Sequence, residues 1–245
     1  MSARALREVL EHEPPLIAVA FGDSTPPGDI GRLRDAGLDV AELRIDRYRS
    51  FDVQHVLDQV ETFSTLPTIA TIRTPGEGGR WQGAEAARLR LFEAVLPHVH
   101  AVDVELASSE ILSDVVGAAQ TERKVMIVSI HDFERTPTVS ELADLASEAK
   151  EAGADYVKFA VTARSSDDLR TLARFTLANA GLGLIVMAMG EYGPASRVLL
   201  PALGSRLTFA SQSGLTDVAD GQLPFAETLG LLRTLYPELD DRKNG

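Results

Sequence analysis

The residue types able to do chemistry in this chain are spread along most of its length: Glu42 and Arg44, Arg73 and Glu77, His131, Lys158, Arg197 and Gln222. Lys158 is the most informative. It stands in the run Tyr156-Val157-Lys158-Phe159-Ala160-Val161, which otherwise reads as a buried strand, and an ammonium in an apolar interior is costly unless it is paired or loses its proton. An amine desolvated among Tyr156, Val157, Phe159 and Val161 is expected to lose some preference for its charged form and to attack a carbonyl carbon, giving a Schiff base. The protonated imine draws electrons from the adjacent carbon, so a proton there is more easily removed. His131, on the preceding strand, is placed to take that proton and return it. Glu77 or Glu105 would hold the imidazole tautomer. Arg197 offers a planar fork that binds a carboxylate bidentately. The substrate these residues suit is a small anionic keto compound.

Taken singly, each residue also has a plainer role. Glu42, Arg44 and Asp46 alternate along one strand, share a face, and would serve equally as a salt-bridge ladder inside a barrel. A histidine after a strand is commonly a structural hydrogen-bonding residue, and a strand lysine commonly snorkels to an edge. The set weighs more than its members, because a purely structural account needs every one of these charges to meet at one end of one fold by coincidence. A metal centre has little support: His131 has no histidine partner at ligand spacing, and His98 and His100 follow a helix. Carboxylates alone remain able to take magnesium. No organic cofactor or resident metal is expected.

The elements that must position these residues are eight short apolar runs rich in Val, Ile and Leu: 16–21, 40–45, 68–73, 101–106, 124–130, 156–161, 183–189 and 207–211. Between them lie segments of helical periodicity, such as Val53, Val56, Leu57 and Val60, or Leu169, Leu172 and Ala173, and a capping-box pattern at Thr138 and Glu141. Strand and helix alternating eight times within 245 residues predict a single-domain (β/α)8 barrel over residues 1–245. An open doubly wound sheet fits less well, since "AFGDSTPPGD" after the first strand lacks G-x-G-x-x-G. In such a barrel the active site lies at the carboxyl ends of the strands, where Glu42, Arg44, Arg73, Glu77, His131, Lys158, Arg197 and Gln222 fall, late in the strands or in the loops after them.

The composition agrees with a catalyst of small molecules. With 36 acidic against 24 basic residues the formal net charge is −12, which disfavours nucleic acid and anionic membrane surfaces as partners. The amino terminus has no signal-peptide core, and no apolar run approaches the length of a bilayer span, so a cytoplasmic location is expected. The absence of cysteine removes disulfides and thiol chemistry.

Six motifs in order along the chain carry a family resemblance: "ELRID" at 42–46, "TIRTPGEGG" at 71–79, "VSIHDF" at 128–133, "YVKFAV" at 156–161, "MAMGEYGPASR" at 187–197 and "GQ" at 221–222. The chain resembles the type I 3-dehydroquinate dehydratases. That resemblance implies a homodimeric (β/α)8 enzyme of the shikimate pathway, converting 3-dehydroquinate to 3-dehydroshikimate by syn elimination of water through an imine. It implies Lys158 as the imine-forming residue, His131 as acid and base, and Glu77 as the carboxylate orienting His131. Glu42, Arg44 and Arg73 match residues that contact ring hydroxyls, and Arg197 matches the arginine for the substrate carboxylate. Gln222 matches the glutamine of a closing loop, here residues 211–222, and Asp46 has a supporting role.

The chain departs from the family pattern in three places. Where the closing loop commonly reads S-A-P-G-Q, this chain has Val218, Ala219, Asp220, Gly221 and Gln222, exchanging a hydroxyl for a nearby carboxylate. The segment from Phe209 to Gln222 is slightly longer than usual, leaving Ser213 and Thr216 as hydroxyls able to reach in. Ala20 and Phe21 stand where the first strand often has a serine. Each lost hydroxyl contact costs about 0.5–1.5 kcal/mol, or about 1.5–3 with a charged partner. Two rival readings remain at this level: a Schiff-base aldolase, with Gly190 and Gly193 near a phosphate site, and a non-catalytic relative that binds the same acid. The chain closes on an amphipathic helix carrying Phe225, Leu229, Leu232 and Leu235 with no dinucleotide-binding domain after it, which predicts a monofunctional protein.

Overall fold

Parallel strands covered on both sides read as continuous apolar runs, and here such runs build a sheet that curls into a barrel. The structure, a computed structural model, describes residues 6–11, 15–212, 220–237 and 239. Its strands are β1 (Ile17–Phe21), β2 (Val40–Arg44), β3 (Thr68–Thr71), β4 (Ala101–Glu105), β5 (Val125–Asp132), β6 (Tyr156–Thr162), β7 (Leu184–Met189) and β8 (Thr208–Ala210). All pair in parallel, in the order β7-β6-β5-β4-β3-β2-β1-β8. The helices are α1 (Leu6–Leu10), α2 (Pro27–Ala36), α3 (Val53–Glu61), α4 (Glu85–Val95), α5 (Leu112–Thr121), α6 (Val139–Glu151), α7 (Ser166–Ala178), α8 (Gly193–Leu199) and α9 (Phe225–Leu235). The fold is the (β/α)8 barrel that the alternation predicts. Among the described residues no helix is long and apolar enough to cross a membrane.

Side chains alternate between two cores because successive strand residues face opposite sides. On β6, Val157, Phe159 and Val161 join the large core between strands and helices, where Phe159 meets Phe175 of α7 edge to face with centroids 5.4 Å apart. The other face of each strand fills the barrel lumen. Its lower part is apolar, with Ala18, Val40, Ile69, Ala101, Ile127 and Ile185, and Leu6 and Leu10 of α1 pack against it. Its upper part is charged.

Two of the helices start on capping boxes. Thr138 and Glu141 form the expected capping box at α6, and Ser165 with Asp168 forms a second one at α7. Strand ends differ slightly from expectation. β3 stops at Thr71, so Arg73 stands just past the ladder, because the Arg73 carbonyl turns to accept from Trp81 N. β5 continues two residues beyond its expected end at 130 and carries His131 and Asp132 in its ladder to β6.

One seam lacks a ladder. β7 and β8 are the two ends of the sheet, and side chains with one main-chain bond join them instead. Ser205 Oγ accepts from Val186 N at 2.8 Å and donates to Val186 O at 3.2 Å, while Arg206 N donates to Leu184 O at 2.8 Å. Arg197 reaches across the seam, donating from Nη1 to Ala188 O at 2.7 Å and from Nε to Phe209 O at 3.1 Å. Ser205→Ala strands a buried N–H and C=O of β7. A cost of about 1–3 kcal/mol should lower the melting temperature by about 2–4 °C per kcal/mol at this chain length. A calorimetric midpoint equal to wild type would show that the seam does not depend on this hydroxyl.

Candidate active site

The loop after β3 builds one wall of the site. Pro75–Glu77 form a 3-10 turn, Gly78 follows in the left-handed region at φ 76°, and Gly79 N donates to Thr74 O at 2.8 Å. A Cβ at Gly79 would lie 1.9 Å from the Arg73 carbonyl oxygen, so only glycine lets the loop fold this tightly. The fold-back sets Glu77 against β5. There Oε2 accepts from His131 N at 3.0 Å and lies 2.8 Å from His131 Nδ1. Of the two carboxylates considered for orienting the histidine, the structure selects Glu77. Glu105 is engaged elsewhere, accepting from Thr74 N at 2.8 Å and pairing with the buried Arg88 at 3.1 Å.

Lys158 is not desolvated among its sequence neighbours, contrary to the reading of its strand. Val157, Phe159 and Val161 point outward to the helices, whereas Lys158 points into the lumen, 5% exposed. Its Nζ donates to Asp103 Oδ2 at 2.9 Å and to Glu42 Oε1 at 3.1 Å, and lies 4.4 Å from the centroid of the Phe209 ring. The amine is therefore ion-paired. Burial opposes ionisation of both carboxylates, yet Lys158 and Arg73, with Arg44 for Glu42, outweigh it and hold both below the usual carboxylate range.

Asp103 is the residue that sequence reasoning left unassigned. It is 1% exposed and ties the lumen together: Arg73 Nη2 donates to its Oδ1 at 2.7 Å, and Ser129 Oγ donates to the same oxygen at 2.7 Å. Arg73 Nη1 donates to Ser129 Oγ at 2.6 Å. The signal was present, since Asp103 sits on the lumen-facing period of β4, but its partners lie 30 and 55 residues away. Arg44 is fixed by both oxygens of Asp46 at 2.9 Å, and Asp46 also accepts from Arg80 N at 3.1 Å, which is the supporting role expected of it.

The histidine and its carboxylate sit in an environment that disfavours charge. Burial, then the cations Arg73 and Lys158, push the His131 imidazolium well below its ordinary range, leaving a neutral base. Burial, with the charges of Glu105 and Asp103 against the pull of Arg73, raises Glu77 to about 7. When ionised, Glu77 accepts the Nδ1 proton and leaves Nε2 as the basic nitrogen.

These groups line one cavity of about 570 Å³ that holds Glu42, Arg44, Arg73, Glu77, His131, Lys158, Arg197 and Gln222, every site residue expected from the sequence. Arg47, Arg80, Met187 and Phe209, which sequence reasoning did not select, line it too. Arg197 differs from the bidentate fork expected of it. Two of its nitrogens are spent on the seam, leaving Nη2 without an acceptor among the described residues, and burial lowers its pKa to about 10 against the pull of Asp220. Ser213, Thr216, Val218 and Ala219 lie outside the described residues; Asp220 and Gln222 reach the cavity wall. Among the described residues no three His, Asp or Glu side chains are grouped to hold a metal ion.

Residues 27–238 match the model of the type I 3-dehydroquinase family. The chain is 35% identical over 218 residues to a 3-dehydroquinate dehydratase of Methanococcoides burtonii, covering 87% of this chain and 91% of the relative. It is 35% identical over 226 residues to one from Desulfotalea psychrophila, covering 90% and 98%. Among solved structures, the 3-dehydroquinate dehydratase of Aquifex aeolicus superposes with a TM-score of 0.79 at 31% identity, covering 91% of this chain and 99% of that one. That of Clostridium difficile, crystallised with covalently modified comenic acid, gives 0.84 at 26% identity, covering 93% and 94%. On the match to most of its length, the chain belongs to the type I 3-dehydroquinase family.

Proposed function

We propose that this protein converts 3-dehydroquinate to 3-dehydroshikimate and water through an imine on Lys158. The observation that carries the reading is a lysine amine on the wall of a polar cavity that also holds a neutral histidine oriented by a carboxylate. Those are the groups that imine formation and proton transfer require. The relatives' names support the substrate.

In this reading Lys158 passes a proton to the neutral His131, its Nζ attacks the ketone carbon, and the carbonyl oxygen leaves as water with that proton and a second one from the nitrogen. His131 then takes the proton from C2, whose acidity the iminium raises, and delivers it to the departing hydroxyl. A second water hydrolyses the imine and frees the lysine. Glu42, Arg44 and Arg73 contact ring hydroxyls, while Arg197 and Gln222 meet the carboxylate, with residues 211–222 as the closing segment. We place the reaction in the cytoplasmic shikimate pathway and the protein in a homodimer. The exposed Leu231 and Leu235 of α9 and Leu199 of α8 are apolar surface that a second copy would cover.

Lys158→Ala should reduce formation of 3-dehydroshikimate, followed by its absorbance, to the background rate. The same variant leaves Glu42 and Asp103 without their cation, so its melting temperature should also fall, with circular dichroism still showing the native fold. His131→Ala should turn over about 10²–10⁴-fold more slowly while still forming the imine. Turnover by Lys158→Ala near the wild-type rate would sink the mechanism.

The Glu77 pKa of about 7 sets a pH dependence. Below it Glu77 is protonated and no longer accepts the Nδ1 proton, so kcat/KM should rise about tenfold per pH unit up to pH 7 and then level off. Glu77→Gln, which has no such proton to lose, should abolish this limb. A limb that persists unchanged in that variant would assign the titration to another group.

A further inference from the structure

We propose that Asp103 is the counter-ion of the imine, and that Glu42 surrenders its bond to Lys158 when the imine forms and turns to the substrate. This rests on the imine reading above and adds to it the fate of the two carboxylates that share the lysine.

The protons on the lysine nitrogen limit how many partners it can keep. An ammonium has three N–H donors, and in the resting site two of them meet Glu42 and Asp103. Imine formation joins R–NH3⁺ to a C=O group to give R–NH⁺=C and water. Two of the nitrogen's protons leave with the carbonyl oxygen, one remains, and the single positive charge is unchanged. No oxidant, reductant or further reactant enters. A nitrogen that had donated to two carboxylates now has one proton to donate. One partner must be lost.

The surroundings decide which. Asp103 Oδ1 is taken by Arg73 and Ser129, and Oδ2 faces Lys158. The residue is 1% exposed and is not part of the cavity wall, so it acts on the substrate through the wall residues it holds, Lys158 and Arg73. Glu42 is held more loosely. Its Oε1 accepts from Thr71 Oγ1 at 3.0 Å as well as from Lys158, Oε2 has no hydrogen-bond partner among the described residues, and the side chain forms part of the wall. It can keep Thr71 and accept a substrate hydroxyl in place of the lysine. Because the charge on nitrogen is the same before and after, Asp103 stabilises ammonium and iminium alike. Its contribution is to hold the nitrogen in register while the bond forms and to fix the side to which the imine proton points.

The test is a crystal structure of His131→Ala soaked with 3-dehydroquinate, in which the imine should accumulate. The imine nitrogen is expected within hydrogen-bond distance of Asp103 Oδ2, with Glu42 moved onto a ring hydroxyl. In kinetics, Asp103→Asn should lower kcat by about 100-fold or more with KM changed only a few-fold, whereas Glu42→Gln should mainly raise KM. An imine nitrogen bonded to Glu42 and not to Asp103 would overturn the assignment while leaving the imine mechanism standing. Intact substrate bound without any covalent bond, in crystals and in solution, would overturn both. The crystal structure needs neither Asp103 nor Glu42 to be altered, so a misfolded Asp103→Asn does not blunt it.

Discussion

A buried ammonium cannot stand alone, and the upper lumen of this barrel is organised around that constraint. Lys158 and Arg73 bring two positive charges to positions almost wholly withdrawn from bulk water; Glu42, Asp103 and Glu105 bring the compensating negative ones. Such a cluster is tolerable only if nearly every donor and acceptor is used, since an unpaired member would cost several kcal/mol. Its spacing comes from the barrel. Parallel register sets Asp103 beside Thr71 and Lys158 beside Ser129, and the period of two turns each of these side chains inward. Shifting any one strand by a residue would bury a charge among the helices and put an apolar side chain in the site.

Burial does most to keep His131 neutral, and the same network adds to it: Arg73 and Lys158, the cations that pair with Asp103, repel a proton from the imidazole against the opposing pull of Asp103. At larger scale the site opposes the protein's own charge. The chain is net −12, yet Arg44, Arg47, Arg73, Arg80, Arg197 and Lys158 line the cavity, giving an anionic substrate a favourable local field within an acidic protein. Asp220 joins Glu42 and Glu77 as an acidic group on that wall, and it stands where this chain departs from the commoner closing-loop sequence.

Much of this was legible from the sequence, for identifiable reasons. Apolar runs alternating with helical periodicity are local signals, and they gave the barrel, its eight strands and the mouth at which Lys158, His131 and Glu77 meet. What failed was the environment of Lys158. Its sequence neighbours are apolar, but Val157 and Phe159 belong to the opposite face, and the groups that do touch the amine lie 55 and 116 residues away. Arg197 shows a second kind of limit. Its residue type suggested a bidentate fork, and only the missing ladder between β7 and β8 reveals that two of its nitrogens hold the seam.

The account therefore rests on one atom, the Nζ of Lys158, acting as nucleophile from within an ion-paired site. The most direct test is the intact mass of the purified protein after borohydride reduction in the presence of 3-dehydroquinate, followed by peptide mapping. The account predicts a single substrate-sized adduct on Lys158 accompanying turnover. An unmodified chain that still produced 3-dehydroshikimate under the same conditions would contradict it.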